Sequence, residues 1–264
     1  MSFTPIVPFG GFGGWSFLKR TLTQQKTSFA AQPVLARDED YFRAKIGSVK
    51  TAQDLVSDRR LLNIALGAYG LDGDINNKYF IRKVLEDGTL DPAALSNRLA
   101  DKQYRALSAG FGFGDFATPR TQLSDFADKT LGLYRARQFE AAVGTQNEDF
   151  RLALNVEREL TTLAAQGSSD DTKWFTIMGN APMRQVFEKA LGLPGSFASL
   201  DLDQQLSVLK EKTEKNFGTS DVAQFKQPEK LEALVRKFLL RSEALAQLAG
   251  TSPGAIALTL LRNA

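Results

Sequence analysis

Between Asp54 and Gly114 apolar residues recur three and four apart, and each such stretch closes on a turn that contains glycine. That punctuation marks consecutive helices, because a helix buries one stripe of side chains and glycine supplies the left-handed residue that ends it. Thr51 followed by Asp54 matches a capping box with Asp in the usual place of Glu, and the spacing predicts helix from there through Leu66, broken by Gly70 and Gly73. A second period runs from Ile75 to Leu85 through Tyr79, Ile81 and Val84 and closes at Gly88. Asp91 before Pro92 reads as an N-cap with proline at the first helical position, opening a helix that carries Leu95, Leu99, Tyr104 and Leu107 to the GFGFG run at 110–114.

The same style continues downstream. The pattern predicts a helix over 124–143 with Phe126, Leu131, Tyr134 and Phe139 facing inward, and another over 150–165. A linker at 166–171 leads to short helices over 171–178 and 182–191, then a stop at Gly192-Leu193-Pro194-Gly195. Helices over 201–217 and 228–248 follow, through Leu202, Leu206, Leu209 and Phe217, then Leu231, Leu234, Val235, Phe238 and Leu245. A last apolar segment occupies 255–261. The expected fold is all-α and multi-helical. It has an N-terminal arm and amphipathic helix (1–35), a first helical lobe (36–120) and a second (121–264), the lobes being joined near residue 120 or 166. Residues 52–75 and 174–197 align without gaps and share Ala68/Ala190, Gly70/Gly192, Leu71/Leu193 and Gly73/Gly195. Duplication and a common way of ending a helix both account for those matches.

The first fourteen residues hold two prolines and four glycines, which predicts an arm without helix. From Trp15 to about Ala31, Trp15, Leu18, Leu22 and Phe29 share one side of a helix, with Gln25 at the seam, until Pro33 ends it. This stripe must dock on the body, on another copy or on a partner, which makes it the first interaction candidate. Replacing Trp15 and Leu22 by Asp is expected to abolish partner capture and leave the body folded. Arg59 and Arg60, and Arg135 and Arg137 beside Tyr134, are further partner-binding candidates, since arginine and aromatic residues anchor interfaces.

Composition narrows the chemistry. The 264 residues are 43% hydrophobic, enough for a sizeable core, yet contain no His and no Cys. Imidazole bases, thiol nucleophiles, disulfides and thiolate or imidazole metal sites are therefore excluded together. The formal charge is +3, with the two signs interspersed along helices, so no nucleic-acid surface is expected, and no run of apolar residues is long enough for a membrane span. Asp72, Asp74 and Asn76 imitate the start of a calcium loop, but Asn77 stands where glycine is needed and Lys83 where a bidentate Glu belongs, so no metal is expected. GGFGG at 10–14 and GFGFG at 110–114 lack the GxGxxG spacing of a phosphate-cradling loop and read as phenylalanine anchors between glycines, with no cofactor. Glu140, Glu157 and Glu159 are the carboxylates considered for acid–base chemistry; Glu157 and Glu159, two apart, point to different faces.

The phrases DLVSDRRLLNIALGAYGL, INNKYFIRKVLEDGTLDPAALSNRLADKQYRAL, YRARQFEAAVG and KWFTIMGNAPMRQVFEKALGLP resemble a family of uncharacterised proteins encoded beside flagellar genes in alphaproteobacteria. The resemblance runs from Gly14 to Arg241. It implies an all-helical protein linked to flagellar assembly and supplies no catalytic residue. The function expected is a non-enzymatic structural or protein-interaction role at the flagellum, the partner being a flagellar component or a second copy. The alternatives are a cytoplasmic export chaperone or adaptor and a carboxylate-based peptidoglycan hydrolase.

Overall fold

The computed structural model describes residues 3–250, with side chains through residue 247. Among these residues there are thirteen α-helices and no strand, the all-α architecture that the glycine punctuation predicts. Packing separates two compact units, one built from Leu22–Val143 and the other from Ile6–Thr21 together with the chain from Gly144 onward. The divide falls between the two junctions suggested by the sequence. Helix α1 (Gly11–Ala30) runs without a break from the second unit into the first, so the N-terminal segment is not a separate element.

The first unit continues with α2 (Pro33–Ile46), α3 (Ala52–Ser57), α4 (Arg59–Tyr69), α5 (Lys78–Asp87), α6 (Leu95–Arg98), α7 (Lys102–Phe111) and α8 (Phe126–Gly144). Its core gathers Phe42, Leu62, Ile81, Leu107, Phe111 and Leu131, all fully buried. The second unit comprises α9 (Glu148–Ala165), α10 (Asp170–Met178), α11 (Ala181–Leu191), α12 (Leu202–Phe217) and α13 (Pro228–Gly250). A relay of edge-to-face rings, Trp174 on Phe187, Phe187 on Phe225 and Phe225 on Phe217, runs through its centre. Phe126, Leu131, Tyr134 and Phe139 are buried as the pattern requires.

Several boundaries differ from the sequence reading, each for a local reason. Helix α1 starts at Gly11, inside the stretch expected to be non-helical. The glycine cost of roughly 1 kcal/mol per residue is offset by close packing: a Cβ on Gly14 would lie 1.9 Å from the Phe9 carbonyl oxygen and 3.1 Å from the Phe150 ring. Pro33 follows the end of α1 as expected, and it also opens α2. The helix predicted from Thr51 to Leu66 is two helices. The capping box of Thr51 and Asp54 starts α3, but Asp58 turns extended and accepts hydrogen bonds from the Arg60 and Leu61 amides, which starts α4 afresh. The period expected from Ile75 begins three residues later, at Lys78.

Asp91 and Pro92 do not open a helix. The Asn97 side-chain Nδ2 donates to the Thr89 and Asp91 carbonyls and the Ser96 hydroxyl to the Gly88 carbonyl, holding this chain as turns; α6 is one turn long, and Asp101 caps α7 separately. Leu202 and Leu245, expected inside, are 59% and 55% exposed, and Tyr79 is 68% exposed. The segment 255–261 lies outside the described residues.

The aligned stretches 52–75 and 174–197 have the same three-dimensional ending. Gly70 and Gly192 are both left-handed, with φ of 74° and 66°. The following Leu71 and Leu193 amides donate to carbonyls five residues back, those of Leu66 and Glu188, each at 2.9 Å. In both cases an arginine from the long closing helix of the same unit covers the glycine. The Arg137 guanidinium would stand 2.5 Å from a Cβ on Gly70, and that of Arg241 1.8 Å from a Cβ on Gly192. In each unit a longer helix precedes two short ones and the capped glycine, and a short 3-10 helix precedes the long closing helix. Helix capping alone does not require the covering arginine, so this arrangement favours duplication. Gly70→Ala and Gly192→Ala are each expected to lose about 1–3 kcal/mol in denaturant unfolding. Gly132→Ala, in α8 with no atom within 4 Å of an added Cβ, is expected to lose nothing.

Candidate interaction surface

The four residues of the predicted N-terminal stripe do not form one free face. Trp15 and Leu18 are 2% and 0% exposed inside the second unit, with Trp15 meeting Phe150 edge-on at 5.8 Å. Leu22 is half-buried, and Phe29 packs in the first unit against Phe139 at 5.6 Å and an interplanar angle of 82°. The stripe therefore docks on the body, and Trp15 is not available to a partner. Trp15→Asp would place a carboxylate in a core, so the Asp double substitution tests folding and not partner capture. A groove of about 520 Å³ beside Trp15 is lined by Phe12, Glu157 and Leu231, but the chain supplies its own occupants. Lys19 pairs with Glu157 at 2.6 Å and lies 5.6 Å from the Trp15 ring, while Arg236 lies 5.2 Å from that of Phe12.

The four arginines diverge. Arg60 pairs with Asp38 at 2.8 Å, donates to the Arg37 carbonyl and stacks 4.0 Å above Tyr41. The Tyr41 hydroxyl donates to Asp58, and that bond raises the phenol pKa. Burial tends to raise the Asp58 carboxyl, but hydrogen bonds from Tyr41, Leu61 and Arg60 outweigh it and hold Asp58 below the ordinary range. Arg59 turns away to the Asn76 side-chain oxygen at 3.3 Å. Arg137 covers Gly70. Arg135 reaches Glu39 at 2.8 Å, and the Glu39 carboxyl is raised by burial, with Arg135 and Arg43 acting in the opposite direction. Burial also pushes the neighbouring Tyr134 phenol up to about 12.

Two of the predicted residues, Phe29 and Arg135, come together on an open groove of about 390 Å³ between the second half of α1 and the middle of α8. Phe29 and Phe139 form its apolar floor. Gly132 and Ala136, one helical turn apart, form a low wall, and no atom lies within 4 Å of a Cβ built on Gly132. Lys26, 5.9 Å from the Phe139 ring, joins Arg135 at the rim. Lys26 has no acidic partner among the described residues, and α1 as a whole carries Lys19, Arg20 and Lys26 but no carboxylate. The sequence reading missed Lys26, Gly132 and Ala136. Their visible signals were the charge imbalance of α1 and the four-residue spacing of two small residues.

Other candidates are occupied by the chain itself. Asp74 accepts hydrogen bonds from Tyr104 and Asn77, and Asp72 from Gln138, so the calcium-like turn uses its oxygens on protein donors. Glu159 pairs with Arg158 at 2.6 Å. Among the described residues, no group of three or more His, Cys, Asp or Glu is placed to hold a metal, and no helix is long and apolar enough to cross a membrane.

Comparison with known proteins gives two matches. A family model described as "Protein of unknown function (DUF1217)" matches residues 68–231, more than half of the chain, including α8 but not α1. The X-ray crystal structure of protein AGR_C_984 from Agrobacterium tumefaciens, a structural genomics target, superposes with a TM-score of 0.74 at 27% identity, covering 91% of this chain and 98% of that one. No curated protein matches.

Proposed function

The chain belongs to the DUF1217 family of proteins of unknown function, and on that footing we propose that it is a non-enzymatic interaction protein of the bacterial flagellum. It docks a partner helix in the groove between α1 and α8. The observation that carries the interaction role is the groove itself: an aromatic floor, a wall low enough for a helix backbone to approach, and the unpaired Lys26 at the rim. Helices pack with their axes roughly 8–10 Å apart, closest where small residues meet. The partner helix is accordingly one with small side chains toward Gly132 and Ala136 and a carboxylate toward Lys26. The flagellar setting rests on the family resemblance, and the non-enzymatic reading on a composition without His or Cys.

Fractionation of the native organism into cytosol, envelope and sheared flagella, with immunoblotting, tests both parts. The expected result is a signal with flagella or basal bodies for the wild type and its loss for Gly132→Leu, whose circular dichroism stays unchanged because the added side chain points into open space. Confinement of the wild type to the cytosol would overturn the flagellar placement in favour of an export chaperone. An unaltered distribution of Gly132→Leu would remove the groove as the docking site.

A further inference from the structure

A second surface in the first unit is built differently. On α3 and α5, a groove of about 330 Å³ is lined by Gln53, Val56, Ser57, Lys78, Tyr79 and Arg82. Tyr79 is 68% exposed, the most exposed aromatic ring among the described residues, and the Arg82 guanidinium lies 5.3 Å from its centroid. Tyrosine and arginine are among the residue types most enriched where partners bind.

Arg82 is held by a neutral group as well as by a carboxylate. Arg82 donates to the Gln53 side-chain oxygen at 2.7 Å, and Gln53 in turn donates to the Ser57 hydroxyl at 2.9 Å, which fixes the guanidinium across α3. Lys78 has no ion-pair or hydrogen-bond partner among the described residues. One carboxylate, Glu86, serves both Arg82 and Lys83, at 3.5 and 3.7 Å. Asp54 and Asp58, on the neighbouring turns, are engaged in helix caps. Three cations of α5, Lys78, Arg82 and Lys83, thus have one ion-paired carboxylate between them, and Lys78, which has none, lines the same groove as the open ring.

We infer that this surface binds an acidic segment of a partner protein, with carboxylates toward Lys78 and Arg82 and an apolar side chain against Tyr79 and Val56. The site is independent of the groove between α1 and α8. A nucleic acid fits less well, because a phosphate backbone needs a longer track of cations than one groove of this size offers.

The test is an NMR titration of the isotope-labelled full chain with an end-blocked peptide of glutamates flanking one leucine. Lysine-for-glutamate peptide and oligothymidylate serve as comparisons. Saturable shifts confined to the amides around Ser57, Lys78, Tyr79 and Arg82 are expected, absent with the lysine peptide. Binding should weaken roughly tenfold in Arg82→Gln, the loss of one charge-assisted contact, and similarly in Tyr79→Ala. Tyr79 is exposed and the Arg82 side chain 31% exposed, and unchanged circular dichroism of both variants shows that the fold is retained. Shifts scattered over the surface, no saturation, equal binding by both variants, or tighter binding of oligothymidylate would overturn the assignment. The outcome does not depend on fractionation, so this site can fail while the flagellar reading stands, and the reverse.

Discussion

Trp15→Ala is expected to destabilise the protein by about 3–5 kcal/mol, the range for removing a buried large aromatic. Loss of the edge-on contact with Phe150 falls within the same measured difference. Trp15 is 2% exposed, and Leu18, one turn on, is fully buried. Urea unfolding followed by tryptophan-independent circular dichroism measures the loss, and hydrogen exchange places it: amides of α9 should lose protection first, since Phe150 is on that helix. A change within about 0.5 kcal/mol, as for surface substitutions, would mean that α1 is not docked on the second unit.

Phe111→Ala is the counterpart in the first unit. Its ring is fully buried and lies 5.1, 5.6 and 6.3 Å from the rings of Phe126, Phe113 and Tyr69. The expected loss is again about 3–5 kcal/mol from transfer and cavity together. Exchange protection should fall in α4, α7 and α8, where those rings are carried, while α9 to α13 keep theirs. Equal loss of protection in both units would show that they unfold as one cooperative body. Phe111→Leu, which keeps most of the volume, should recover more than half of the lost stability.

These residues also show what the chain made legible in advance. Thr51 with Asp54, and Gly70 before Leu71, lie within a few residues of the groups they satisfy, so their roles could be read locally. Phe111 could be named as an anchor because it sits between glycines in an apolar period. Asp58 could not: it lies in a helix-compatible run, and its choice of N-cap depends partly on a hydroxyl from α2 seventeen residues earlier. The groove between α1 and α8 was half legible. Phe29 and Arg135 stood out singly as aromatic and arginine, but only folding places them on one surface. Gly132 and Ala136 matter for what they lack, which no residue-by-residue reading of side-chain chemistry detects. Leu202 and Leu245 fit the apolar period but face outward, because periodicity gives a stripe's position on the helix and not the extent of what covers it.

The continuity of α1 sets an order for making the protein. The Lys19–Glu157 bond joins residues 138 positions apart, so when residues 11–21 leave the ribosome, the surface that will receive Trp15 and Leu18 has not been synthesised. Leu22 to Ala30 wait for a shorter interval, until α8 emerges. For that time a tryptophan, a leucine and a phenylalanine are carried bare on the nascent chain, where apolar exposure invites misassociation. A fusion or truncation at this end reaches both units at once: trimming to residue 31 removes Trp15 from one and Phe29 from the other, although neither unit has its centre there.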